Sequence, residues 1–228
     1  IFFIREFKIP NIYQKIATYY RVINLLMGIK RINKITSVSK TMMHEISSKF
    51  FDKKKINENN VLTNSFIARE SYSKKIFKKL DLDTVDKYFY SIVGNGPHKN
   101  LNFLIESFNK FLKNNKNYKL VISGAFKAKY NNFSKNIIFT EFISEEEKIS
   151  LIKKAELFIF PSLVEGFGIP LIEAKHFNLP VLAGELDYIR DLIDPIQTFD
   201  PNSSISIYRA VKRFLNLPCY RDPMLTPK

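Results

Sequence analysis

Two glutamates, Glu165 and Glu173, stand with seven residues between them in the segment Phe160–Ala174, FPSLVEGFGIPLIEA. Between them Gly166-Phe167-Gly168 lets a backbone approach a ligand closely and offers unhindered N–H groups. Pro170 fits the first position of a helix, where its missing N–H costs nothing. The N-terminal end of that helix favours an anion such as a diphosphate, through its dipole and free N–H groups. Glu173 falls about one turn in, within reach of the same pocket. Two carboxylates beside such a helix end would repel a bare phosphate. They suit a ligand whose hydroxyls flank the phosphate on both sides and donate to them. A nucleotide sugar has that layout: ribose diol, diphosphate, sugar diol. The competing reading is a surface loop with two solvated glutamates.

The elements around this segment are legible from residue 85 onward. Tyr88–Val93 reads as a strand ending at Gly94-Asn95-Gly96-Pro97. Leu101, Leu104, Ile105, Phe108, Phe111 and Leu112 share one face of an amphipathic helix, 101–112, which Asn100 is placed to cap. Strands follow at 119–123 and 137–140, then a helix at 145–154 opened by the Ser144/Glu147 capping box. Strand 157–160 feeds the two-glutamate loop and the helix from Pro170. Strand 181–183 and helices 187–193 and 205–214 complete the series. Strands alternating with helices predict a parallel sheet of βα units, with ligands at the carboxyl ends of the strands. The loops after Val93, Ser123, Thr140 and Phe160 are therefore the places for chemistry. Nearer the front, apolar spacing predicts helices over 11–30 and 40–50 and short strands at 33–38 and 61–62.

With 228 residues, 45% hydrophobic, 25% charged and 14% aromatic, the chain has a globular composition. No apolar run approaches the roughly 20 residues that span a bilayer. The single cysteine, Cys219, excludes an internal disulfide and a cysteine-based zinc site, and suits a reducing compartment. The formal charge of +14 favours an anionic partner: nucleic acid, acidic lipid or a phosphorylated small molecule. The lysines are scattered, however, and the local basic patches at 53–55 and 73–79 do not interleave aromatics as nucleic-acid modules do. His44, His98 and His176 lie far apart, and no spacing suits a metal.

Glu165-Gly-Phe-Gly-Ile-Pro-Leu-Ile-Glu173-Ala resembles the E-x7-E signature of the retaining GT-B glycosyltransferases of family 4, the glycosyl transferases group 1. Val93-Gly94-Asn95-Gly96-Pro97-His98-Lys99-Asn100-Leu101 is similar to the loop opening that family's donor domain. Leu120–Gly124 resembles its next strand, 139–147 its F-x-G-x-(V/I)-S-x-E-E turn, and 155–162 its A-D-L-x-V-x-P-S strand. The resemblance implies that Glu173 binds ribose hydroxyls and Glu165 hydroxyls of the donor sugar, with Gly166, Phe167 and Gly168 presenting backbone. It implies that Lys99 binds the diphosphate and stabilises charge on it, making Lys99 and Glu165 the catalytic pair. Gly94 and Asn95 would line the first donor loop, and Phe142 and Ile143 would border the base. No metal or other cofactor is expected, and transfer should retain anomeric configuration.

The chain departs from the family pattern at several points. Asn95 stands where many members carry a phosphate-binding arginine, and Phe142 is read as replacing the usual glycine of its turn. Residues 1–64 resemble only the closing part of an acceptor-side domain, and a beginning upstream or an unusually short protein is expected. The expected organisation is a remnant acceptor-side α/β domain at 1–66, a linker at 67–84, a Rossmann-like donor domain of GT-B type at 85–200, and a C-terminal helix and tail at 201–228. The expected function is transfer of a hexose from a nucleoside diphosphate sugar to a saccharide or lipid-linked acceptor, in polysaccharide or lipopolysaccharide-type glycan synthesis. A cytoplasmic place is expected, with peripheral contact to an anionic membrane surface. The alternatives are a non-catalytic nucleotide-sugar-binding fragment and a basic nucleic-acid-associated α/β protein.

Overall fold

The computed structural model describes residues 75–80, 82, 87–165 and 167–218. The readings for 1–66, including His44, for Gly166 and for most of 67–84 fall outside the described residues. In chain order the elements are α1 (Lys75–Lys79), β1 (Lys87–Ile92), α2 (Leu101–Leu112), β2 (Tyr118–Ser123), β3 (Ile137–Glu141), α3 (Glu145–Lys154) and β4 (Leu157–Phe160). They continue with α4 (Ile169–His176), β5 (Val181–Gly184), α5 (Asp187–Arg190), β6 (Gln197–Phe199) and α6 (Ser204–Phe214). The strands form one six-stranded sheet in the order β3-β2-β1-β4-β5-β6, with every pairing parallel. This is a Rossmann-like α/β fold.

Strand side chains alternate between the two faces of the sheet, and both faces are buried. On one face Phe89, Leu120, Ile122, Leu157, Ile159 and Leu182 meet the apolar stripes of α2 and α6. Phe89 anchors that side, stacked on Tyr118 at 5.1 Å and edge-on to Phe108 at 5.6 Å. The opposite face sets Tyr88, Tyr90, Val121, Phe158, Phe160, Val181 and Ala183 against residues of α1, α3 and α4. Buried Ser91 donates from its hydroxyl to the Ile159 carbonyl at 2.7 Å, locking β1 to β4 at the centre of the sheet.

Several local expectations are corrected. Asn100 does not cap α2 with its side chain: its backbone is left-handed (φ 56°), and its amide donates instead to the Pro201 carbonyl. That contact ties the loop after β1 to the chain after β6. Ser144 and Glu147 do form the reciprocal capping box of α3. In α4 the first helical residue is Ile169 and Pro170 is the second, because left-handed Gly168 (φ 73°) occupies the cap. Helix α5 stops at Arg190, short of 193, and the three-residue β6 extends the sheet where no strand was expected.

Candidate functional site

Strand order reverses between β1 and β4, so the loops leaving these neighbours diverge and open a crevice at their carboxyl ends. Lys99 lies on the first of these loops and Glu165 on the second. The loops are stitched together where the Leu163 N–H donates to the His98 carbonyl at 2.8 Å. Across them Lys99 Nζ meets Glu165 Oε1 at 2.5 Å, with side-chain exposures of 21% and 13%. Two residues 66 apart in sequence, both chosen for donor chemistry, are thus brought into direct contact. A Cβ placed on Gly94 would sit 3.8 Å from Lys99 Cε, so this glycine lies along the lysine stem. Burial and the neighbouring Lys99 charge pull the His98 imidazole below its ordinary pKa, against an upward pull from Glu165.

Tyr188, at the start of α5, is a third presence here that the sequence did not single out. Its hydroxyl donates to the Ser162 carbonyl at 2.7 Å. Burial, and then the Glu165 charge, push its pKa well above the tyrosine range, so it stays a neutral donor.

One helical turn beyond, Glu173 is buried to 5% exposure on α4. Its Oε1 accepts from Lys148 Nζ at 2.6 Å, while Oε2 is buried with no hydrogen-bond partner among the described residues. Lys148 also contacts Glu145 Oε2 at 2.6 Å. Burial raises the Glu173 pKa, Lys148 pulls it back, Glu145 adds to the rise, and the net direction is upward. Burial alone would lower Lys148, but its two carboxylate partners carry it above its ordinary value. Lys148 was missed because in sequence it is one lysine in a polar helix, and its partner lies 25 residues away. Its spacing of three from Glu145 was the one local signal.

The remaining candidates lie on the loops at the same edge. The Asn95 side-chain oxygen accepts from the Phe126 N–H at 3.0 Å, tying the loop after β1 to the loop after β2. Phe126 in turn packs edge-on against Phe142 at 5.3 Å; both rings are solvent-exposed, Phe142 the more so at 71%. Ile143 is half-buried against the core, and Phe167 is half-buried. The turn carrying Phe142 has its left-handed residue one position earlier: Glu141 has φ 56°, and Phe142 is not in that region. The place where glycine would relieve the backbone is therefore 141, which corrects the reading of Phe142. Gly168 needs to be glycine on two counts, its φ of 73° and a Leu192 methyl 2.7 Å from where a Cβ would stand. Among the described residues no three His, Cys, Asp or Glu side chains gather into a metal-binding group, and no helix is long and apolar enough to cross a membrane.

Comparison with known proteins gives concordant results. The O-antigen chain mannosyltransferase RfbU of Salmonella typhimurium (strain LT2) is 27% identical, over 94% of this chain and 60% of that protein. The chain thus spans about three fifths of that relative's length. Among solved structures, Anabaena HepE in complex with UDP and glucose aligns with a TM-score of 0.66 at 12% identity, covering 85% of this chain and 56% of HepE. The C-terminal domain of the glycosyl transferase group 1 protein LpcC from Francisella tularensis aligns with a TM-score of 0.51 at 21% identity, covering 64% of this chain and 85% of that domain. At such identities the structural matches speak for the fold. The family model "Glycosyl transferases group 1" matches residues 73–224, more than half of the sequence, and the chain is a member of that family.

Proposed function

We propose that this chain forms the donor side of a retaining GT-B glycosyltransferase of family 4, with a donor domain at 85–200. It moves a hexose from a nucleoside diphosphate sugar to a saccharide or lipid-linked acceptor during lipopolysaccharide-type glycan assembly. The observation that carries this reading is the Lys99–Glu165 contact at 2.5 Å, made across the two loops that diverge from β1 and β4. The mannosyltransferase relative supports mannose as the hexose.

In this reading the unpartnered Glu173 oxygen accepts from a ribose hydroxyl, and Phe142 and Ile143 border the base. Gly94, Asn95, Gly166, Phe167 and Gly168 line the path of the diphosphate and sugar. Glu165 is the counter-ion of Lys99; a diphosphate brings a second, freeing Glu165 to accept from sugar hydroxyls. As the bond from C1 to the diphosphate oxygen breaks, its electron pair stays on that oxygen. The Lys99 ammonium opposes the growing charge from a fixed position. The acceptor oxygen bonds to C1 on the face being vacated, and its proton passes to the departing diphosphate. The excess of basic residues suits peripheral contact with anionic lipid at the cytoplasmic face.

The test has two readouts. UDP, GDP and ADP are screened by thermal shift, where at least one should raise the melting temperature. The corresponding hexose donors are then followed for nucleotide release, with the product anomer read by NMR. No stabilisation by any of the three nucleotides would defeat the donor-site reading. Binding without transfer or hydrolysis would leave a donor-binding chain and defeat the catalytic one.

A further inference from the structure

Glu173 is an unusual buried carboxylate. At 5% exposure it has lost its hydration, yet only Oε1 is bonded, to Lys148 Nζ at 2.6 Å. Its Oε2 has no partner among the described residues. A half-bonded buried carboxylate is poor as a stabilising device, because the unmatched oxygen carries its full desolvation cost. Lys148 is equally unusual. Its side chain is 15% exposed, and its ammonium is shared between Glu173, at 6% side-chain exposure, and Glu145, at 78%. An apolar residue at 148 would seal the same face without burying a charge. The cost is explained if the lysine serves its carboxylate partner.

We propose that Lys148 is a positioning residue: it fixes one oxygen of Glu173 and leaves the other unpartnered, to accept from a hydroxyl of the donor's ribose. The inference rests on the reading of Glu173 as the nucleoside-end acceptor. It adds a residue that touches no substrate and acts through its neighbour.

The groups facing Glu173 come from two elements. Lys148 and Glu145 approach from α3, and Tyr90 lies on β1, its pKa raised chiefly by burial, with the Ser123 hydrogen bond opposing and the Glu173 charge adding to the rise. The Tyr90 hydroxyl is engaged with Ser123 at 2.8 Å, and Thr140 donates to the same serine at 2.8 Å. Lys148 alone among the charged neighbours pulls the carboxyl toward ionisation; burial and Glu145 push it the other way. Removing Lys148 leaves only influences that favour the protonated acid.

The experiment measures UDP and GDP affinity of the full chain by calorimetry between pH 5 and 8.5, in wild type and four variants. Glu173→Gln, which cannot titrate, supplies the reference that removes the phosphate's own ionisation. Relative to it, Lys148→Met should move the acid-side midpoint of nucleotide affinity up by about 1 pH unit or more. Lys148→Arg should restore the wild-type midpoint. Exposed Glu145→Gln, which leaves the core intact, should move the midpoint down, since a neighbouring negative charge is lost. Opposite signs from Lys148→Met and Glu145→Gln are not what loss of packing produces.

If Glu173→Gln lowers affinity but Lys148→Met keeps the wild-type midpoint, Lys148 has no positioning role and the ribose reading survives. The same holds if Lys148→Met and Lys148→Arg behave alike, or if Glu145→Gln shifts the midpoint upward. If Glu173→Gln binds both nucleotides as the wild type does throughout, the ribose reading fails and takes this inference with it.

Discussion

Two lysine–glutamate pairs sit at the carboxyl edge of the sheet, and their differences are more informative than their likeness. Lys99–Glu165 joins two loops at 2.5 Å, with both side chains partly open to solvent at 21% and 13%. Lys148–Glu173 joins two helices at 2.6 Å, with the glutamate nearly sealed at 6% and a third carboxylate, Glu145, on the lysine. In the proposed reading the first pair, carried on loops, exchanges partners when a diphosphate arrives. The second is built into the helical layer and cannot let go without stranding a buried charge. A loop-borne pair suits charge that changes during a reaction; a helix-borne pair suits a group that must keep one orientation. This predicts different kinetic signatures for the two.

The largest effect is expected at the loop pair. Lys99→Ala should lower kcat by about 10²–10³-fold, the range for loss of one preorganised electrostatic contact in a transition state. Nucleotide affinity should fall much less, since the charge matters most when the bond breaks. A variant that loses affinity and turnover in equal measure would break the contrast, making Lys99 a binding residue as Glu173 is proposed to be.

Glu173→Ala should show the reverse split. Nucleotide binding should weaken by about 1–3 kcal/mol, as for loss of a charged hydrogen-bond acceptor, with kcat at saturating donor little changed. Its folded-state pKa is raised chiefly by burial, so protonation favours the folded state. That contribution is present at acid pH and is lost as pH rises through the folded value. Glu173→Gln should therefore gain heat stability relative to wild type as pH goes from 4 to 7 while losing nucleotide affinity. Melting curves across that range check the sign; a gap that narrows with pH would mean Glu173 is stabilised as an anion.

The contrast between the pairs also marks what the sequence could disclose. Lys99, Glu165 and Glu173 lie in motifs whose spacing is local, so the sequence could put them forward as candidates. Helix α2 was legible from its 3.6-residue apolar stripe and α3 from its Ser144/Glu147 capping box, while β1, β2 and β4 read as short continuous apolar runs because both sheet faces are buried. Lys148 was not, because its meaning comes from α4, a partner on another element. Asn100 was misread for a related reason: its side chain is used at long range, on Pro201, instead of on its own helix. Strand β6, with Gln197 and Thr198, has no apolar alternation and exists because β5 offers it a free edge. Glu141 shows the limit of turn chemistry, since nothing in its type announces a left-handed backbone.

Two backbone positions sharpen the comparison with smaller effects. Gly168 ends the Glu165 loop and begins the helix of Glu173. Gly168→Ala meets a left-handed backbone and a Leu192 methyl at 2.7 Å. It should cost about 1–2 kcal/mol of stability by denaturant melt. Because it moves the start of α4, it should weaken nucleotide binding more than it lowers kcat. The opposite pattern would assign Gly168 to the loop pair.

Glu141 stands at the matching place for α3, in the turn that delivers Lys148. Its φ of 56° burdens a side chain that is exposed, while its carbonyl accepts from Gly124 N–H at 2.7 Å. Glu141→Gly keeps that carbonyl and removes the strain, worth roughly 1–2 kcal/mol, against about 0.5–1 kcal/mol for the looser unfolded chain. The net gain should be about 0.5–1 kcal/mol, or about 1–4 °C in Tm for a chain of this size. Nucleotide affinity should stay at the wild-type value, since the capping box of Ser144 and Glu147, not Glu141, sets the first turn of α3. A gain in Tm with weaker binding would instead mean that the strained turn helps to aim Lys148. The helix-borne pair would then owe its orientation to the loop before its helix as well as to burial.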